Sequence, residues 1–243
     1  MKELLKYTII GVSVIISVIV LSFAITYYGR SKDVISVTGL GEEYFTSDQI
    51  VWTGRIHVDA YNKQEGYKQI ANHQKKVVEY LSQNGISSKE VTFSFVEVDK
   101  NFESVYNSNG NYSGSRFSYY TLSQTFTITS FDVDKVEVIS REISALISQG
   151  IDIESYTPDY YYTKLDNLKL DLIEKASKDA RARAENIVVN AGAKLGKASA
   201  ASLGVFQITS ATGNEEYSYG GAFNTSSKEK KARITVRMTY KLK

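Results

Sequence analysis

Ile50-Val-Trp-Thr-Gly-Arg-Ile-His-Val-Asp-Ala60 alternates from end to end. Ile50, Trp52, Gly54, Ile56, Val58 and Ala60 fall on one side, and Thr53, Arg55, His57 and Asp59 on the other. A period of two with one apolar face is the pattern of a strand buried on that face. The chain closes on the same pattern, with Ala232, Ile234, Val236, Met238, Tyr240 and Leu242 alternating against Arg233, Thr235, Arg237, Thr239 and Lys241. Leu122, Gln124, Phe126 and Ile128 repeat it against Ser123, Thr125, Thr127 and Thr129. Half-buried strands need something to cover them, and the segments between them supply helices.

The first helix is expected over 62–84. Asn62 followed by Glu65 is a capped start, Tyr67, Ile70, Gln74, Val77, Val78 and Leu81 share one face, and Gly85 stops it. The second starts at Asp132 with the stripe Val136, Ile139, Ile143, Leu146 and Ile147, and ends at Gly150. The third and longest places Leu165, Leu168, Leu172, Ala176, Ala180, Ile187, Val188 and Ala191 on one face before Gly192. Its alanine-rich middle lets it lie close to a sheet. Shorter strands are expected at 34–39, 91–98, 151–156 and 199–209. Gly39-Leu-Gly41 reads as a turn or bulge, and a phase change between Phe95 and Val96 reads as a second bulge. The fold class is therefore α+β, with antiparallel-rich sheets packed against three helices.

Helix 62–84, strand 91–98, a polar loop and strand 121–129 have the same order as helix 165–191, strand 199–209, a polar loop and strand 231–242. This order reads either as an internal αββ duplication or as one that an α+β chain reaches by chance. The two loops, 101–118 and 211–229, are rich in Tyr, Ser, Gly and Asn, the adaptable composition of recognition loops. The first reads as a long loop or a frayed hairpin tip. Tyr106 and Tyr112 in it, Tyr217 and Tyr219 in the second, and the triplet Tyr160-Tyr161-Tyr162 are candidate contact residues. The alternative for each is ordinary packing or a flexible linker.

Before residue 34 the pattern changes. No charge occurs from Tyr7 to Tyr28, and the run from Thr8 to Ala24 is long and apolar enough for a spanning helix. Tyr7 and Tyr27-Tyr28 stand where interfacial aromatic anchors belong, with Lys2 and Lys6 before the run and Arg30 and Lys32 after it. Residues 1–30 read as an uncleaved membrane anchor contacting the bilayer through residues 8–28. Residues 34–243 form the domain it holds outside the cytoplasm. Ser22-Phe23-Ala24 keeps a cleaved signal open as the alternative.

Composition excludes several classes. The 243 residues contain no cysteine, which removes disulfides, thiolate metal sites, cysteine nucleophiles and lipidation at a cysteine. A net charge of +2 from 29 basic and 27 acidic residues gives no nucleic-acid footprint. His57 and His73 are the only histidines and have no helical spacing partner, so neither metal nor cofactor is expected. No G-x-S-x-G elbow is present. An envelope hydrolase of unmarked type stays open as the alternative to a non-enzymatic protein.

Ile35-Ser-Val-Thr-Gly-Leu-Gly-Glu42, Gly85-Ile86 with Lys89-Glu-Val91, Phe131-Asp-Val-Asp-Lys135, and Ala176-x3-Ala180-Arg-Ala-Arg-Ala-Glu185 continuing to Ala191-Gly-Ala-Lys-Leu-Gly196 together resemble one family. It is the SIMPL domain (DUF541, YggE-like) family, and the resemblance covers 34–242. It implies an α+β fold and a bacterial envelope location, with the chain held in the inner membrane by a single pass and its domain in the periplasm or outside the cell. It further implies self-association into a homo-oligomer and a loose link to oxidative-stress tolerance. It carries no catalytic residues. Arg181 and Arg183, in the best-matching stretch, are candidate contact residues for assembly or recognition, with a solvated ion-paired helix face as the alternative. The expected partners are the membrane, further copies of the chain, and a protein or glycan.

Overall fold

The computed structural model describes residues 2–30, 33–213, 218 and 220–243. The chain runs α1 (Lys2–Arg30), β1 (Val34–Thr46), β2 (Gln49–Ala60), α2 (Lys63–Gln83), β3 (Val91–Phe93), β4 (Glu97–Tyr106) and β5 (Tyr112–Ser130). It continues through α3 (Val133–Glu142) with a 3-10 extension (Ile143–Gln149), β6 (Asp152–Ser155), β7 (Asp159–Tyr161), α4 (Leu165–Asn190), β8 (Leu195–Leu203), β9 (Gln207–Ser210) and β10 (Glu229–Leu242). All strand pairings within the two sheets are antiparallel. The α+β class with three packing helices and one preceding apolar helix stands.

The apolar stretch Lys6–Thr26 of α1 has a mean hydropathy of 2.7 and none of it is buried. At ~1.5 Å per residue it spans roughly 30 Å, the hydrocarbon thickness of a bilayer. Two of its hydroxyls bond within the helix: Ser13 Oγ donates to Ile10 O at 2.8 Å and Thr26 Oγ1 to Ser22 O at 2.8 Å. Such back-bonding removes the cost of exposing a hydroxyl to lipid. The side chains of Lys2, Tyr27, Tyr28 and Arg30, and all of Lys32, lie outside the described residues.

The first sheet has the order β3-β5-β2-β6, with β4 extending the β3 edge and β7 the β6 edge. The inward face of β2 buries Ile50, Trp52 and Ile56 completely, as its alternation requires. Trp52 meets Phe126 edge to face at 5.5 Å, and Gly54 is glycine because a Cβ there would sit 2.3 Å from the Phe126 ring. Helices α2 and α3 cover this face through Ile70, Val77, Leu81, Val136 and Ile139. The local signals hold. Asn62 accepts from Gln64 N–H, Asp132 accepts from Lys135 N–H, and Gly85, Gly150 and Gly192 have φ of 78°, 77° and 73°. Glu65 does not close a capping box, because its carboxylate accepts from Gln69. Ile147 is 56% exposed, since the 3-10 geometry rotates it off the stripe.

The phase change at 95–96 is a break between β3 and β4. Gln124 is turned into it and donates to Ser94 O at 2.8 Å. Residues 101–118 do not form a loop. β4 and β5 pair to Tyr106↔Tyr112, leaving only 107–111 as the turn. Asn107 accepts from Asn109 and Asn111 N–H at 3.0 Å each and builds that turn from its own side chain.

The second sheet has the order β1-β10-β8, with β9 also on β10. Here Gly39 and Gly41 are neither turn nor bulge. Both lie within the continuous pairing of β1 with β10, opposite Val236 and Ile234. Their function is to admit α4. A Cβ on Gly39 would fall 2.1 Å from Ala176 O, and one on Gly41 would fall 2.2 Å from Leu172 O. The buried face of α4 is Leu168, Leu172, Ala176, Ala180, Ala184 and Val188. Ile187, expected on that face, is 53% exposed, and Ala184 takes its place because close approach selects a methyl group.

Each of the two sheets joins a helix to a broken strand and a long central strand, which matches the repeated order in the sequence. The two connecting segments differ: one is a paired hairpin, while the described part of 211–228 is irregular and wraps the Gln207 side chain, which bonds Ser218 and Ala222. The sheets meet at 47–48, 159–163 and 224–230. Ser47 N–H donates to Lys228 O at 3.0 Å and Tyr160 N–H to Thr225 O at 2.7 Å. Lys230 is 2% exposed, and its ammonium donates to Tyr160 O at 2.7 Å and to Asn224 O. Lys230→Met keeps the length and strands both carbonyls. It is expected to lower stability by about 2–3 kcal/mol, read by chemical denaturation with Trp52 fluorescence.

Candidate contact surface

Strands β4 and β5 continue as a two-stranded arm past the end of β2, whose last pair with β5 is Ala60↔Tyr120. Phe102 and Tyr106 are four residues apart on β4 and share a face, while the pairing shifts register next to each of them by skipping a residue on β5. Each faces a ring on β5: Phe102 meets Phe117 at 6.2 Å, and Tyr106 meets Tyr112 at 6.2 Å. Phe117 continues the row to Tyr120 at 4.7 Å, and Tyr120 packs against the first core. The arm is thus an extension of the core-facing side of the sheet beyond its helices. Phe102, Tyr106 and Tyr112 are 59%, 62% and 63% exposed. The opposite face carries the Glu103–Arg116 ion pair. This contiguous aromatic face, left open to water, is the candidate contact surface.

The other candidate tyrosines divide differently. Tyr160 is 7% exposed and belongs to the first core, because β7 pairs it with Ile50. Its side chain is closed to any partner, and burial pushes its phenol up. Tyr161 pairs with Gln49 and is half-buried. Tyr162 stacks on Phe45 at 4.8 Å across the junction of the sheets. The β7 pairing was hidden in sequence behind Pro158, which reads as an end rather than a pause. Tyr217 and Tyr219 lie outside the described residues, as do Glu215 and Glu216.

Arg183 donates to Asp179 Oδ2 at 2.8 Å, and the same oxygen accepts from Leu40 N–H at 2.8 Å. Leu40 is on β1, an edge strand, so Asp179 caps an outward-facing donor that would otherwise invite another strand. Arg183 is thereby a positioning residue for that cap. The Arg183 guanidinium, and then the Leu40 amide, hold the Asp179 carboxyl below the usual carboxylate range. A folded pKa below the unfolded one gives a contribution that is complete above about pH 4 and is lost as pH falls through the folded value. Asp179→Asn is expected to flatten part of the acid-side loss of stability, measured by melting curves across that range.

Arg181 points elsewhere. Helix α4 covers β1 and β10 but meets β8 only at its start, where Leu195 packs near Ala180 and Ala184, and an open groove of about 620 Å³ lies between α4 and β8. Its floor includes Met238, Tyr240 and Ala198, and its walls carry Lys178, Arg181, Lys197 and Lys243. Glu174 is the one carboxylate lining it, and it pairs with Lys178. Sequence reasoning singled out Arg181 but missed its neighbours, Lys178 on the same helix, Lys197 on β8 and Lys243 after β10.

On the outer face of the first sheet, Ser123 and His57 pair across strands, and His57 Nε2 lies 3.3 Å from Glu154. A serine beside a histidine and a carboxylate is the pattern a hydrolase would need. Here Ser123 is 1% exposed, and its hydroxyl accepts from Arg55 at 2.6 Å, so no substrate reaches it. Glu154 is held low by the Tyr156 hydroxyl and then by His57. The cluster is a hydrogen-bonded sheet face. Among the described residues no three His, Asp or Glu side chains gather as a metal site.

A family model, SIMPL, described as a protein of unknown function (DUF541), matches residues 35–241. No curated protein matches the chain.

Proposed function

The chain belongs to the SIMPL family, and from that membership we propose that it is a single-pass membrane protein whose domain assembles with further copies of itself outside the cytoplasm. The bacterial inner membrane is the site of the anchor, and the domain faces the periplasm or the exterior. Its role is binding and assembly rather than catalysis, in the service of envelope integrity and oxidative-stress tolerance. The observation that carries the reading is the aromatic arm, a row of rings joined to the core at Tyr120 and open to water at Phe102, Tyr106 and Tyr112. Helix α1 supports the placement, because its apolar length fits a bilayer and the structure buries none of it. A protein or glycan partner would use the same arm.

Sedimentation of the full chain in mild detergent tests the assembly. A discrete oligomer is expected, and a monomer that persists at high concentration overturns the reading. Alkaline extraction of membranes with an intact mass tests the anchor: the protein is expected to stay in the pellet at the mass of the uncleaved chain.

A further inference from the structure

We propose that the basic groove between α4 and β8 seats the headgroup phosphates of anionic phospholipids in the membrane that holds α1. The inference rests on the anchor reading and adds to it a specific lipid contact.

Position carries the first half of the argument. Only residues 31–32 separate α1 from Asp33, and consecutive Cα atoms are at most ~3.8 Å apart. Asp33 therefore lies within about 11 Å of the end of α1, whatever path the connection takes. Asp33 O accepts from Leu242 N–H at 2.9 Å, and Lys243 exchanges backbone hydrogen bonds with Lys194 at 2.8 and 3.2 Å. This end of the second sheet, where β1 begins, β10 finishes and β8 starts, is tied to the membrane surface. The groove opens at the same end, since Leu195, Lys197 and Lys243 line it.

Charge carries the second half. Arg181, Lys197 and Lys243 are exposed, and none makes an ion pair among the described residues. They converge from α4, β8 and the end of β10, with α4 held close over β1 by that strand's glycines. Residues Ala198 to Ser202 of the strand are small and exposed. Unpaired cations within a Debye length of an anionic bilayer surface attract its headgroups, each by about fivefold. Met238 and Tyr240 on the floor give the groove an apolar base beneath the charges.

The chain has no cysteine, so Ser199→Cys carries a single environment-sensitive fluorophore beside the groove. Full-length protein is placed in nanodiscs of phosphatidylcholine alone, or of phosphatidylcholine with phosphatidylglycerol at three to one. Both contain a trace of lipid spin-labelled at the headgroup. Quenching is expected to rise with phosphatidylglycerol and to fall at about 1 M salt, where the Debye length shrinks to about 3 Å. Arg181→Gln, Lys197→Gln and Lys243→Gln together are expected to weaken the preference for anionic lipid by about a hundredfold without moving Tm. Quenching that ignores lipid charge, or that survives the triple substitution, overturns the proposal while α1 is retained. An equal fluorophore response to millimolar inorganic phosphate in zwitterionic discs would assign the groove to a soluble anion and also overturn it. The intact mass of the same sample separates this failure from loss of the anchor, since a cleaved chain overturns both readings.

Discussion

Gly39→Ala is expected to unfold the second sheet and its helix while the first sheet survives. The substitution adds one methyl group. That methyl would lie 2.1 Å from Ala176 O, 2.4 Å from Ala180 N and 2.8 Å from Ala180 Cα. All three are backbone atoms, so no rotamer change relieves the overlap, and α4 must move off the strand. Moving it opens the contacts of Leu172, Ala176 and Ala180, each 0% exposed, and of Ala184 with Val37 and Tyr240. Overpacking of a core side chain ordinarily costs about 1–3 kcal/mol. Displacing a whole helix belongs in the exceptional class of about 4 kcal/mol or more. The two halves can be watched separately, because Trp52 is the only tryptophan and sits in the first core. In denaturant, helical circular dichroism should fall well before Trp52 fluorescence changes. Wild-type-like, coincident transitions would show that α4 can yield without loss.

Tyr106→Ser combined with Tyr112→Ser should abolish self-association and leave folding intact. The rings are 62% and 63% exposed, so the folded monomer loses little by their removal. An assembly that closes over them loses two aromatic anchors at its centre. Anchors of this kind are worth about 2 kcal/mol each, which together lowers the association constant about a thousandfold. The backbone of the arm does not depend on them, since its turn is held by Asn107 and its strands by ladder hydrogen bonds. Sedimentation of the full chain in detergent gives the association, and a melting curve on the same sample gives the stability. An unchanged oligomer would remove the arm from the assembly. A drop in both quantities would mean that the rings belong to the core.

The family's description assigns no activity. Three surfaces are distinct: the aromatic arm, the basic groove between α4 and β8, and the polar sheet face around His57. The first two carry unsatisfied chemistry, exposed rings in one case and unpaired cations in the other. The third is closed by its own side chains, with Ser123 under Arg55 and His57 3.3 Å from Glu154, while Arg55 Nε and His57 Nε2 are buried without a hydrogen-bond partner. That Tyr106 and Tyr112 are exposed was legible from the composition of their segment alone. Tyr160 was not separable from them, because a tyrosine on a short strand looks the same whether or not another strand lies beside it.

Sequence by itself determined what depends on near neighbours. The α1 run, the alternation of β2 and β10, the caps at Asn62 and Asp132, and the left-handed glycines at 85, 150 and 192 all follow from periodicity or backbone sterics within a few residues. Only the tertiary structure decided what depends on partners from other elements of the chain. Gly39 and Gly41 look like turn residues until Ala176 and Leu172 are placed over them. Arg181 looks like one more solvated charge until Lys197 and Lys243 arrive from other strands. A glycine records that space is needed, and a charge records that it is unpaired, but neither names what comes close. Only folding brings that partner into contact.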